Sequence, residues 1–81
     1  MKIDAKIEFS DEVANKLDRN FARVPVDIDY VEDNSSSIRT WVCNELEDMF
    51  GQAFMDDDFK ITNMDELIET IKFDEFENKV Y

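Results

Sequence analysis

The sequence predicts an α+β fold in two layers, a small sheet of two to four strands packed on about three helices, in a single domain over 1–81. Three observations predict it. Residues 1–9 alternate apolar and charged side chains. Residues 23–31 repeat that alternation. Three further segments, 11–21, 37–53 and 63–72, carry apolar residues at helical spacing. A strand with one wet face and a helix with one dry stripe each need a second layer, and the two together enclose a core. The 81 residues suffice for one domain, and 43% apolar content separates the chain from a disordered acidic tail. One Gly and one Pro leave few sharp turns, so most residues should sit in regular elements.

In the first strand, 1–9, Met1, Ile3, Ala5, Ile7 and Phe9 face the core, and Lys2, Asp4, Lys6 and Glu8 face water. Ser10 stands where an N-cap belongs, with Asp11 and Glu12 in the first turn of a helix over 11–21. Val13, Ala14, Leu17 and Phe21 make its stripe. In the second strand, 23–31, Val24, Val26, Ile28 and Tyr30 alternate with Pro25, Asp27 and Asp29. Pro25 has no N–H for a ladder, which places it at the strand's start or on an edge.

The polar run 32–37 is a loop, and Ser36 or Ser37 can cap the helix over 37–53. Ile38, Val42, Leu46, Met49, Phe50 and Ala53 form its stripe at about 100° per residue. Gly51 is a candidate terminator inside that span. Residues 59–61 are a possible third strand. Thr62 or Asn63 caps a last helix over 63–72, with Met64, Leu67, Ile68 and Ile71 at i, i+3, i+4, i+7. The tail from Phe73 alternates in part, so it either adds an edge strand or frays. The first two strands can run parallel or antiparallel, depending on where the intervening helix packs.

Charge is the chain's loudest signal. Asp and Glu number 21 against 9 Lys and Arg, for a net charge of −12. Such a surface repels nucleic acid and anionic membrane and attracts basic surfaces. The imbalance is concentrated after residue 44, where Lys60, Lys72 and Lys79 stand alone against a long series of acids. One cysteine allows no internal disulfide and fits a reducing cytoplasm. The N-terminus has no apolar signal core, and no apolar run reaches membrane-spanning length.

Catalytic equipment is missing by type. The chain has no His, so the commonest general base and metal ligand is absent. Cys43 lacks a base to activate it and sits at a stripe margin, as structural thiols do. One Gly excludes a phosphate-cradling glycine loop. Asp27-Ile28-Asp29-Tyr30-Val31 resembles the D-x-D-x-[TV] motif of haloacid-dehalogenase-type phosphohydrolases, but over five residues of a chain too short for that fold. Period-two spacing already explains the two aspartates as the wet face of a strand. Asp56, Asp57 and Asp58 can attract hard cations, yet Phe59, Lys60, Ile61 and Thr62 break the ligand pattern of an EF-hand loop. The sequence therefore predicts no catalytic residues, no metal site and no cofactor.

What remains is a binding surface. Carboxylates along a strand face repeat at about 6.6–6.8 Å, and helical i, i+4 neighbours lie about 5–6 Å apart. DNA presents one phosphate per about 3.4 Å of axis on each strand. A folded acidic face thus approaches the charge density of a nucleic acid. The candidate partner-binding residues are Glu45, Glu47, Asp48, Asp56, Asp57, Asp58, Asp65, Glu66 and Glu69. Trp41 joins them: it lies about 60° outside the apolar stripe, beside Glu45 and Asp48, as either a lid on the core margin or a partly exposed anchor.

In size, absence of catalytic residues and acid clusters such as Met55-Asp-Asp-Asp-Phe59 and Asn63-Met-Asp-Glu-Leu67, the chain resembles the small acidic anti-defence proteins of phages and mobile elements. These are the DNA-mimic anti-restriction proteins and anti-CRISPR inhibitors. The resemblance implies a non-enzymatic inhibitor in the host cytoplasm that occupies the basic nucleic-acid groove of a nuclease or CRISPR effector, without touching nucleic acid or membrane. The rival expectation is a small structural or adaptor protein, monomer or homodimer, docking through Trp41 or a sheet edge.

Overall fold

A computed structural model describes residues 1–79, with side chains through Asp74. Its elements follow the expected order: β1 (Lys2–Phe9), α1 (Asp11–Leu17), β2 (Phe21–Asp27), α2 (Ser35–Phe50), β3 (Phe59–Ile61) and α3 (Met64–Lys79). The fold is the two-layer α+β arrangement of sheet and helices. The sheet has three strands in the order β2-β1-β3, and both pairings are antiparallel. β1 is central, paired from Lys2↔Asp27 to Glu8↔Phe21 on one side and from Ile7↔Ile61 to Phe9↔Phe59 on the other.

Alternation sorts the faces. Ala5, Ile7, Phe9, Val24, Val26, Phe59 and Ile61 are buried under the helices together with Val13, Ile38, Val42, Leu46, Leu67 and Ile71. No polar side chain is buried among the described residues. The opposite face of the sheet is left to solvent. Lys2, Lys6, Arg23 and Lys60 share it with Asp4, Glu8 and Asp27, and Phe21 and Pro25 lie among them.

Several boundaries move for identifiable reasons. The first helix ends at Leu17, not at residue 21. Asp18 turns left-handed (φ 51°) and donates its N–H to the Ala14 carbonyl, which closes the helix. Phe21, expected on the helix stripe, instead opens β2 on the wet face and is 66% exposed. β2 accordingly runs 21–27 rather than 23–31. Ile28 stays buried after it and forms a turn with Asp29, closed by the Tyr30 N–H donating to the Asp27 carbonyl. Pro25 does lie on an edge strand, with β1 as that strand's one neighbour.

The long central helix starts two residues early, at Ser35. Asn34, rather than Ser36 or Ser37, caps it, accepting the Ser37 N–H at 2.8 Å. Gly51, left-handed at φ 67°, ends it, so Ala53 falls outside the helix and is exposed; Met49, in the helix's last turn, is also exposed instead of buried. The last helix runs 64–79, not 63–72. The tail through Lys79 is therefore helical rather than an edge strand, and residues 80–81 lie outside the described part.

Asn63 stands at the N-cap position of α3, where its carbonyl accepts the Leu67 N–H. Its side chain turns to the sheet. Oδ1 accepts the Lys6 N–H at 2.8 Å, and Nδ2 donates to the Asp4 carbonyl at 2.9 Å. The amide thus adds one rung to β3 beyond Thr62, whose own N–H bonds to the Lys6 carbonyl. A primary amide carries the donor and acceptor of a peptide group, which is why this residue type can extend a ladder.

Candidate functional site

The acidic surface is built around the loop between α2 and β3. Two aromatics hold its ends. Phe54 and Phe59 are 5% exposed and join Phe9 and Phe50 in a cluster with ring centroids 5.8–6.3 Å apart. Between these anchors the chain must bulge outward, and Met55, Asp56 and Asp57 form the bulge.

Polar contacts then fix its shape. Glu47 Oε1 accepts the Phe54 N–H at 3.4 Å. Asp58 Oδ2 accepts the Met55 N–H at 2.8 Å, and the Asp58 carbonyl accepts the Ser10 N–H at 2.8 Å. Arg39 reaches from α2 to donate to the Asp56 carbonyl at 2.8 Å, with its guanidinium 4.7 Å from the Phe59 ring centroid.

The three consecutive aspartates therefore have different duties. Asp58 is half-buried and closes the loop on itself. Asp57 is exposed, and the Asp56 side chain is 99% exposed. Their carboxylates line an open cleft of about 360 Å³ with Glu8, Asp11 and Lys60. Glu8 and Asp11 come from β1 and the start of α1. Sequence spacing gave no means of joining them to Asp56, because the contact follows from β1–β3 pairing.

The other candidates divide in the same way. Asp48 on α2 and Asp65, Glu66 and Glu69 on α3 are exposed. Glu45 and Glu47 are half-buried, and Glu47 is committed to the loop. Of the candidate carboxylates, only Asp56 forms an ion pair among the described residues, with Arg39 at 3.9 Å. So exposed a pair neutralises little.

Trp41 is half-buried against the core, and its indole N–H donates to the Pro25 carbonyl at 3.0 Å. It covers the core margin with its polar atom engaged and keeps part of its ring exposed. Cys43, turned about 200° around the helix from Trp41, is half-buried against the acidic loop, with its thiol 3.4 Å from the Phe54 carbonyl. Burial pushes its thiol above the ordinary range, and the neighbouring Glu47 and Asp56 carboxylates push it the same way. The protonated, unreactive thiol is thus favoured. Among the described residues, no group of three or more Asp, Glu or Cys side chains is placed to hold a metal ion. No described helix is long and apolar enough to cross a membrane.

No protein-family profile, no curated protein and no solved structure matches this chain.

Proposed function

We propose that the protein is a non-enzymatic inhibitor that presents its acidic side to the basic nucleic-acid groove of a nuclease or CRISPR effector. One observation carries this reading: the charge is segregated and uncompensated. On the open sheet face, cations outnumber anions, so none of the net −12 arises there. All of it belongs to the helices and loops, where Asp48, Asp56, Asp57, Asp65, Glu66 and Glu69 are exposed and, among the described residues, five of the six have no ion-pair partner. A field this uneven favours some orientations of a positively charged partner over others. The anchored backbone of the acidic loop supports the same reading, because a loop already held in shape loses little backbone freedom on binding.

The rival reading, an adaptor docking through Trp41 or a sheet edge, has less support. The Trp41 indole nitrogen is already bonded, and Pro25 occupies the β2 edge beneath it.

The deciding experiment measures binding to purified basic nucleases and effectors, with duplex DNA as competitor. A mimic is displaced by DNA, and its affinity falls steeply between about 0.1 and 1 M salt, as the screening length contracts from about 10 to 3 Å. Binding that DNA does not displace and salt does not weaken sinks the reading. Charge reversal belongs at Asp56 and Asp57. Reversing Asp58 as well removes the acceptor for Met55 and alters the loop's shape together with its charge.

A further inference from the structure

We infer that α2 is a strap that guards both edges of the sheet against an added strand, with Trp41 shutting the β2 side and Arg39 covering the Phe59 end of β3. The register decides which backbone groups are at stake. The Phe9 N–H bonds to the Asn20 carbonyl and the Ile28 N–H to the Met1 carbonyl. In an antiparallel pair, bonded and non-bonded positions alternate. Even-numbered residues of β2 therefore bond to β1, and Phe21, Arg23, Pro25 and Asp27 turn their backbone groups outward. An edge of this kind is a template for another chain.

Here it is closed from its middle onward. Pro25 has no N–H to offer, and its carbonyl is taken by Trp41. The Asp27 carbonyl accepts the Tyr30 N–H. Only Phe21 and Arg23 keep outward groups without a described partner, which is shorter than a usual strand pairing.

On the other edge, β3 is three residues long and turns Phe59 and Ile61 outward. The Arg39 guanidinium covers the Phe59 ring and lies 3.5 Å from its carbonyl oxygen. Residues 39 and 41 are about 200° apart around a helix, while Ile38, Val42 and Leu46 between them face the sheet fully buried. One helix thus straddles the sheet and reaches over both sides.

The test needs only the purified chain, so it stands or falls separately from the proposed partner. Trp41→Leu keeps an apolar cover on the core but cannot reach Pro25. Sedimentation of the wild type should show a monomer from micromolar to millimolar concentration. Folded Trp41→Leu should self-associate, with an association constant raised at least about tenfold. Adding Arg23→Pro to that variant removes an outward N–H without touching the ladder to β1, and it should restore the monomer. A folded Trp41→Leu protein that stays monomeric at millimolar concentration overturns the proposal, as does association that Arg23→Pro leaves intact.

Hydrogen exchange of the wild type reads the same point without the variant. The Phe21 and Arg23 amides should exchange at rates independent of protein concentration. Protection that grows with concentration overturns the closure.

Discussion

The two sides of this molecule are made from the same residue types and behave differently. On the open sheet face, lysine, arginine, aspartate and glutamate interleave, and the pairs that form are local, such as Lys60 with Glu8 at 3.3 Å. On the helices and loops acids stand in series, and among the described residues Arg39 alone pairs with one of the candidate carboxylates, Asp56. The difference teaches that net charge is a poor descriptor of a small protein. What a partner meets is the charge of one face, set by which residues the strand period and helix caps turn outward.

The largest expected effect sharpens this comparison by removing the scaffold beneath the acidic side. Phe54→Ala should cost about 3–5 kcal/mol, because it deletes an aromatic packed between Phe9, Phe50 and Phe59. Chemical denaturation measures it. A loss under about 1 kcal/mol would mean that the loop is not held by that ring.

Next comes the double reversal Asp56→Lys and Asp57→Lys. It should weaken partner binding at least about tenfold, worth about 1.4 kcal/mol, while the melting temperature barely moves. Unchanged binding would detach the loop from the function. The mirror experiment, Lys2→Glu with Lys6→Glu on the open face, should leave binding within about twofold at physiological salt, since those charges lie on the far side of the sheet. A comparable loss from both pairs would erase the distinction between the faces.

Asn63→Ala should cost about 1–2 kcal/mol, because the Lys6 N–H and Asp4 carbonyl both lose a partner. Asn63→Asp should recover only part of it, keeping the acceptor and losing the donor.

The smallest effect lies in pH. The Met1 amine is held above its ordinary value, first by its hydrogen bond to Asp29 and then by the nearby charges of Asp29, Asp27 and Asp74. A raised amine stabilises the fold fully below its unfolded value, and that contribution fades as pH rises through the folded one. The free-amine protein should therefore lose melting temperature slightly more than an N-acetylated one across mildly alkaline pH. Parallel curves would show that the contact contributes nothing.

Much of the architecture was legible because it rests on periods. The alternation of Ile3, Ala5 and Ile7, and the stripe of Ile38, Val42 and Leu46, each have one burial solution. Failures came where a single residue breaks a period that its neighbours continue. Phe21 lies four positions after Leu17 and imitates a helix stripe, but Asp18 has already ended that helix. Ala53 imitates the next stripe, and Gly51 ends it.

The acidic side was legible as composition and illegible as geometry. Asp56 and Asp58 are the same residue type two positions apart. Only the fold shows that one is exposed and the other bonds the Met55 N–H. Phe54 could have been suspected, since it and Phe59 bracket the aspartates. The Asn63 rung could not, because its partners are backbone groups of a strand at the other end of the chain.

The strand order β2-β1-β3 carries a consequence for synthesis. The middle strand leaves the ribosome before either neighbour, with β2 following soon afterwards and β3 only after the whole of α2 has been translated. Until Phe59–Ile61 and Asn63 arrive, one flank of β1 waits without its rungs among residues 1–40, which hold nine acids against six bases and so carry much less of the negative charge than the segment that follows. The acids that arrive with the second half thus come at the stage when an unfinished sheet most needs repulsion from its neighbours.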